Sequence, residues 1–182
     1  MQSAEQILPG VWYVTTASHG GFILSDERQA AMPASLALTD PLYVEDADYA
    51  LAVLAFEAEF RVKGGADAIM ASNAHDTVRN WYPDRYAAFT GQPVTPRTSH
   101  VLDLRDAYAE RIGRDVVVAA FGPWADWVPD GKTGVIARRL ISVDQLARPR
   151  YADEDQRAMV DAARYEARGK VISLDELDAV PC

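Results

Sequence analysis

The alternation of apolar and polar residues near the start of the chain predicts a β-hairpin. Aromatic and β-branched residues dominate residues 12–16, a composition typical of a strand. The Ser-His-Gly-Gly segment at 18–21 has turn chemistry, and the apolar run at 22–24 resumes the strand. Residues 11–25 therefore predict a hairpin, after which Ser25 can cap a short helix.

Apolar residues at helical spacing predict that helices fill the middle of the chain. Asp40 is a suitable N-cap and Pro41 suits the first helical position, so we expect an amphipathic helix over residues 41–61. The acidic residues near its start, Glu45 and Asp46, would then be explained by the helix dipole. Further helices are predicted at 66–82, 86–89 and 101–111.

The C-terminal third predicts a second hairpin followed by helix. The continuous apolar run at 116–121 is typical of a strand at the centre of a sheet, and 133–139 reads as its return strand. Asp153 can open a helix that ends at Arg168. We therefore expect an α+β fold, with a small antiparallel sheet built from two hairpins and packed with several helices. Residues 1–182 would form a single domain with a C-terminal helical appendage at about 150–182.

Composition is that of an ordinary globular protein, with 182 residues, 49% hydrophobic and 25% charged. The one cysteine, Cys182, excludes a disulfide within the chain. The N-terminus has no basic start followed by an apolar run, and no stretch approaches the roughly 18 apolar residues of a membrane helix. We therefore expect a cytoplasmic protein with no membrane association.

Negative charge is concentrated in the first third of the chain. Residues 1–60 contain nine acidic residues against one base, Arg28, a net charge of −8, whereas residues 61–182 are nearly neutral. An acidic surface repels phosphate backbones and attracts basic proteins. We therefore expect no direct nucleic-acid binding and a partner protein with a basic surface, although solubility alone also accounts for a net charge of −9.

Two loops carry residues of chemical interest. The His19-Gly20-Gly21 segment resembles the loop that supplies an oxyanion-hole N–H in esterases, but the chain lacks the Gly-x-Ser-x-Gly elbow that such enzymes need. Its glycines either expose backbone N–H groups as an anion nest or simply supply positive φ in a turn. The loop containing Trp124 and Trp127 is either a lid over the core or a recognition surface.

Phosphate-loop and metal chemistry are not expected. The Gly-Lys-Thr segment at 131–133 has Asp126 where a phosphate-binding loop requires glycine, and a strand is predicted to follow it. The three histidines, His19, His75 and His100, lack the spacing of a helical zinc site. We therefore expect neither a metal nor another cofactor.

Three segments suggest a family. Residues 10–28 contain a W-x-V-x-T-x-S-H-G-G block, residues 43–50 an acidic E-D block, and residues 124–135 a W-x-x-W-V-P-x-G-K-x-G-V block. In that order they resemble a bacterial domain family of unknown function found in phages, plasmids and other mobile elements, over roughly residues 8–140. The resemblance implies no catalytic residue. It marks these blocks as signature positions, which form one site if they converge.

Two main hypotheses about function remain open. The first is a non-enzymatic interaction protein of a phage or mobile element, which binds a host or phage protein through an acidic face, for instance as a counter-defence, anti-CRISPR-like inhibitor. The second is a small hydrolytic or nucleotide-directed enzyme with His19 as acid or base and Glu45 or Asp46 as its orienting partner or as a metal ligand. A third, an assembly role, predicts a stable homo-oligomer. The candidate binding residues are Ser18, His19, Gly20, Gly21, Glu45, Asp46, Asp48, Trp124, Asp126 and Trp127.

Overall fold

The structure is a computed structural model that describes residues 3–182. This part of the chain contains two antiparallel sheets and seven α-helices. The α+β class predicted from the sequence is confirmed. The chain divides into two compact units, Met1–His100 and Val101–Cys182. Each of the two predicted hairpins lies in its own unit and its own sheet, so the hairpins do not share one sheet.

The first unit contains a sheet of four strands in chain order, each antiparallel to the next. The predicted hairpin forms its two middle strands. The first strand of the sheet lies outside the predicted hairpin. Its sequence has no apolar pattern that predicts a strand, since only its last two residues are shielded from solvent. The strands are β1 (Ser3–Leu8), β2 (Val11–Thr15), β3 (Gly20–Leu24) and β4 (Leu42–Val44).

The helix predicted for residues 41–61 begins later and is interrupted. Leu42–Val44 is instead β4, because Tyr43 is fully buried and pairs with Phe22 of β3. Asp40 caps a turn rather than a helix, its carboxylate accepting from the N–H of Leu42 at 2.8 Å. The helices of this unit are α1 (Asp26–Ala31), α2 (Tyr49–Ala55), α3 (Glu57–Lys63), α4 (Gly65–Trp81) and α5 (Pro83–Thr90).

The core of the first unit lies between its sheet and its helices. Residues 50–54 of α2 are all buried, as is Phe60 of α3. The rings of Phe22 and Phe60 meet edge to face with centroids 5.7 Å apart, which joins β3 to α3. Full burial of each such aromatic side chain contributes about 1.5–3 kcal/mol to folding. The sheet and the helices of this unit are therefore fixed to each other by one apolar cluster.

The second unit contains the second predicted hairpin, extended by C-terminal strands. The strand predicted for a sheet centre, β5, is the end strand in the order β5-β6-β8-β9, with β7 paired to β6. The elements are α6 (His100–Ala109), β5 (Asp115–Phe121), β6 (Lys132–Val143), β7 (Pro149–Tyr151), β8 (Gln156–Asp161), α7 (Ala162–Glu166) and β9 (Val180–Pro181).

The helix predicted from Asp153 to Arg168 is wrong over most of its length. Residues 156–161 form β8 instead, with Ala158 and Val160 buried on one face in the alternation of a strand. Pairing of β8 with β6 satisfies backbone groups that a helix would have bonded locally. Within the described chain, the regular elements of residues 150–182 are therefore strands, the α-helix α7 and one short 3-10 helix.

A half-buried polar cluster in the second unit joins residues near the C-terminus to Arg111. The guanidinium of Arg111 donates to both carboxylate oxygens of Glu176, at 2.8 and 2.7 Å. The hydroxyl of Ser173, which is fully buried, donates to the same carboxylate at 2.5 Å. These hydrogen bonds, led by those from Arg111, lower the pKa of Glu176 to about 2, despite the opposing effect of burial.

Candidate functional site

The turn that contains His19 is shaped by a threonine. The backbone N–H of Thr16 donates to the carbonyl of His19 at 2.7 Å, and the Thr16 hydroxyl accepts from the N–H of His19 at 3.1 Å. Ser18 and His19 are exposed. Among residues 3–182 the His19 imidazole has no hydrogen-bond or ion-pair partner. The structure therefore does not join His19 to Glu45 or Asp46 by a hydrogen bond.

Gly20 and Gly21 lie in β3 and not in the turn. Neither has a positive φ, so neither an anion nest nor a left-handed turn explains them. The carbonyl of Gly20 accepts from the N–H of Glu45 at 2.9 Å. A Cβ on Gly20 would lie 2.6 Å from the hydroxyl of Tyr13 and 2.7 Å from Oε2 of Glu45. Glycine at this position therefore leaves room for two oxygen atoms that converge above the strand.

Glu45 and Asp46 occupy an exposed turn between β4 and α2. The first turn of α2 contains no acidic residue, so the helix-dipole explanation for this pair is wrong. Within the described chain neither side chain has a hydrogen bond or an ion pair. Asp48 differs, because its half-buried carboxylate accepts a hydrogen bond from the hydroxyl of Tyr82. Glu45 and Asp46 thus present uncompensated charge, whereas Asp48 is engaged in the fold.

Beside this turn lies a cavity of about 290 Å³, called the Glu45 cavity below. The rings of Tyr13 and Phe22, which are directly opposite each other on β2 and β3, meet edge to face at 5.6 Å. Aromatic rings and a carboxylate that line one small cavity favour a cation. Its lining residues are Tyr13, Phe22, Glu45, Tyr49 and Met70.

The predicted Trp loop belongs to the second unit, and its two tryptophans differ. Trp127 is half-buried and packs over Gly134 of β6, leaving no space there for a side chain. Trp124 is 75% exposed, with its ring 5.6 Å from that of Phe121, and Asp126 is also exposed. Trp127 therefore covers part of the sheet, as a lid would, whereas Trp124 is available at the surface.

Three side chains from three helices form a polar cluster that sequence reasoning missed. Nδ1 of His75, on α4, lies 3.1 Å from the hydroxyl of Tyr86 on α5. Nε2 of the same ring lies 3.2 Å from Oε2 of Glu57 on α3. Burial raises the pKa of Glu57, but hydrogen bonds from Arg61 and His75 outweigh it and hold the pKa below its ordinary value. Both ring nitrogens of His75 are used, so the cluster braces α3, α4 and α5.

Metal and phosphate chemistry find no support in the described part of the chain. Residues 3–182 contain no group of three or more histidine, cysteine, aspartate or glutamate side chains placed to hold a metal ion. Lys132 begins β6, so a strand follows the Gly-Lys-Thr segment where a phosphate-binding loop requires a helix.

Among the helices described here, none has the length and apolar character needed to cross a membrane.

Comparison with known proteins gives one match. None of the curated proteins and none of the solved structures matches this chain. A family model, described as a domain of unknown function (DUF7007), matches residues 1–112. The match includes the His19 turn, the Glu45-Asp46 turn and every residue of the Glu45 cavity, whereas the Trp loop lies outside it. Because it covers more than half of the 182 residues, the chain belongs to the DUF7007 family, a family of unknown function as the sequence blocks implied.

Proposed function

We propose that the protein is a non-enzymatic interaction protein of a phage or other mobile element, acting in the bacterial cytoplasm. It would bind a host or phage protein with a basic surface through the turn of Glu45 and Asp46. A counter-defence role, such as inhibition of a CRISPR effector, fits such a protein, because an acidic surface can occupy a groove built for nucleic acid.

The observation that carries this proposal is the uncompensated charge of Glu45 and Asp46. Several other acidic residues of the first third have structural roles. Glu59 receives two hydrogen bonds of 2.6 Å from Arg28, which lower its pKa. Asp26 lies in the first turn of α1, where the helix dipole favours it. No such role accounts for the exposed pair, which borders an aromatic cavity.

The enzyme hypothesis has less support from the geometry. An acid or base needs an orienting partner within hydrogen-bond reach, and the imidazole of His19 has none among residues 3–182. The histidine that does have a carboxylate partner, His75, has both ring nitrogens occupied by protein groups. Binding is therefore the function that the described side chains support best.

The test is capture of a partner with two matched charge variants. In the first, Glu45 and Asp46 are both replaced by lysine, and Asp48 is kept because it holds Tyr82. In the control, the exposed residues Asp153 and Glu154 are replaced by lysine, which changes the net charge equally.

We expect wild type and the control to capture the same protein at low salt, and the first variant to lose it. High salt should weaken capture, since the Debye length shortens from about 10 Å at 0.1 M to about 3 Å at 1 M. Capture of no specific protein by wild type, or equal retention by both variants, would contradict the proposal.

A further inference from the structure

We infer that the Glu45 cavity binds the side chain of an arginine from the partner protein. This inference rests on the proposed function and specifies its chemistry. The cavity volume of about 290 Å³ lies just below the range of about 300–1,000 Å³ that is typical of small-molecule sites. A single long side chain is therefore a better match than a nucleotide or another large cofactor.

Charge and wall chemistry select a cation. The carboxylate of Glu45 lines the cavity and has no cationic partner within the described chain. An anionic or neutral guest would leave this charge uncompensated beside an apolar wall. Tyr13, Phe22 and Tyr49 supply aromatic rings, and Met70 supplies a polarisable thioether. A cation that enters gains both the ion pair and contact with the rings.

The arrangement of acceptors favours guanidinium over ammonium. Oε2 of Glu45 and the hydroxyl of Tyr13 converge above Gly20 from two residues. A guanidinium presents several N–H donors in one plane, so it can donate to both oxygens while its face lies on a ring. The ammonium of lysine is a compact and strongly hydrated charge that gains less from aromatic contact. Asp46, which follows Glu45 in the chain and is exposed, can form an ion pair with a second basic residue of the partner protein.

The experiment titrates N-acetyl-arginine amide into the full-length protein and follows its methionine methyl groups by NMR. Met70 reports on the cavity, whereas Met32 and Met159 lie outside its lining and check that the fold is intact. N-acetyl-citrulline amide, which has nearly the same shape without the charge, is the ligand control. Glu45→Gln tests the cavity, and Asp46→Asn removes an equal charge from a neighbour that does not line it.

We expect a saturable shift of the Met70 methyl signal with the arginine compound and none with the citrulline compound. Glu45→Gln should weaken binding about tenfold or more, and Asp46→Asn by less than about threefold, because only the first removes a charge-assisted hydrogen bond. Equal binding of the citrulline compound, equal effects of the two substitutions, or tighter binding of N-acetyl-lysine amide would overturn the inference.

Failure of this inference is distinguishable from failure of the proposed function. If capture of a partner depends on Glu45 and Asp46 but the arginine compound does not shift Met70, the cavity assignment is wrong and the acidic binding turn stands. If the arginine compound saturates the cavity but no protein is captured, the cavity assignment is supported and the interaction role is contradicted.

Discussion

Adding one methyl group to Gly21 or to Gly20, neighbours in β3, should have very different consequences. A Cβ on Gly21 would lie 2.5 Å from the backbone oxygen of Tyr43 in β4. That strand cannot retreat, because Tyr43 is fully buried and its hydroxyl bonds to the N–H of Leu38 and to Gln29, both at 3.1 Å. Overpacking against a fixed backbone costs about 3 kcal/mol, so Gly21→Ala should destabilise strongly.

Gly20→Ala meets side-chain atoms instead. The new Cβ would press on Oε2 of Glu45 and on the hydroxyl of Tyr13. Both atoms are at the outer ends of side chains, which can shift where a backbone oxygen cannot. We therefore expect a loss of only about 1 kcal/mol. The two variants should therefore differ by about 2 kcal/mol in free energy of unfolding. Gly20→Ala should nevertheless weaken binding of the arginine compound, because it displaces both acceptors.

Urea denaturation monitored by tryptophan fluorescence measures this difference. The midpoint concentration should fall much further for Gly21→Ala than for Gly20→Ala, with the slope unchanged if the unfolded state is unaffected. The close approach of β3 and β4 would be refuted if Gly21→Ala were no more destabilising than Gly20→Ala, or if both variants were as stable as wild type.

Three further predictions, made with five substitutions, test other parts of the structure. The pKa of Glu176, lowered to about 2, implies stability that is present above its ordinary pKa of 4.5 and is lost as the pH falls towards 2. Glu176→Gln should thus lower the free energy of unfolding by about 2 kcal/mol at pH 7. It should also reduce the loss of stability that urea denaturation shows between pH 4.5 and pH 2, and an unchanged loss would contradict this prediction. Tyr43→Phe removes two part-buried hydrogen bonds and should lower the free energy of unfolding by about 1–3 kcal/mol in the same assay. Tyr49→Phe, whose hydroxyl has no such bonds, should change it by less than about 0.5 kcal/mol. Trp127→Ala should clearly lower the midpoint temperature of thermal unfolding and Trp124→Ala should hardly change it, because only Trp127→Ala uncovers Gly134. Equal decreases in the midpoint temperature would argue against the different burial of the two rings.

Local patterns predicted the elements whose hydrogen bonds are local. The hairpin of β2 and β3, the helix α4 and the hairpin of β5 and β6 follow from periodicity and turn residues alone. Local pattern predicts helix at 42–44 and 156–161, because the residues that flank these segments are good helix caps. Both pair with strands that are distant in sequence, and long-range pairing of this kind overrides local preference.

The candidate site was predictable only in part. Sequence blocks singled out the His19 turn and the Glu45-Asp46 turn, and pairing of β3 with β4 brings Gly20 and Glu45 together. The aromatic wall was not predicted, since Tyr13 and Phe22 read as ordinary strand residues. Met70 lies on α4, far along the chain, and no local pattern links it to a hairpin.

The turn of Glu45 and Asp46 is fixed at both ends, with consequences for the entropy of association. The N–H of Glu45 is bonded to β3, and the carboxylate of Asp48 is bonded to Tyr82. A segment held in this way has few conformations to lose when a partner docks, whereas an acidic tail would lose many. The turn should therefore act as a preorganised recognition loop, so that affinity depends on the geometry of a few contacts as well as on the amount of charge.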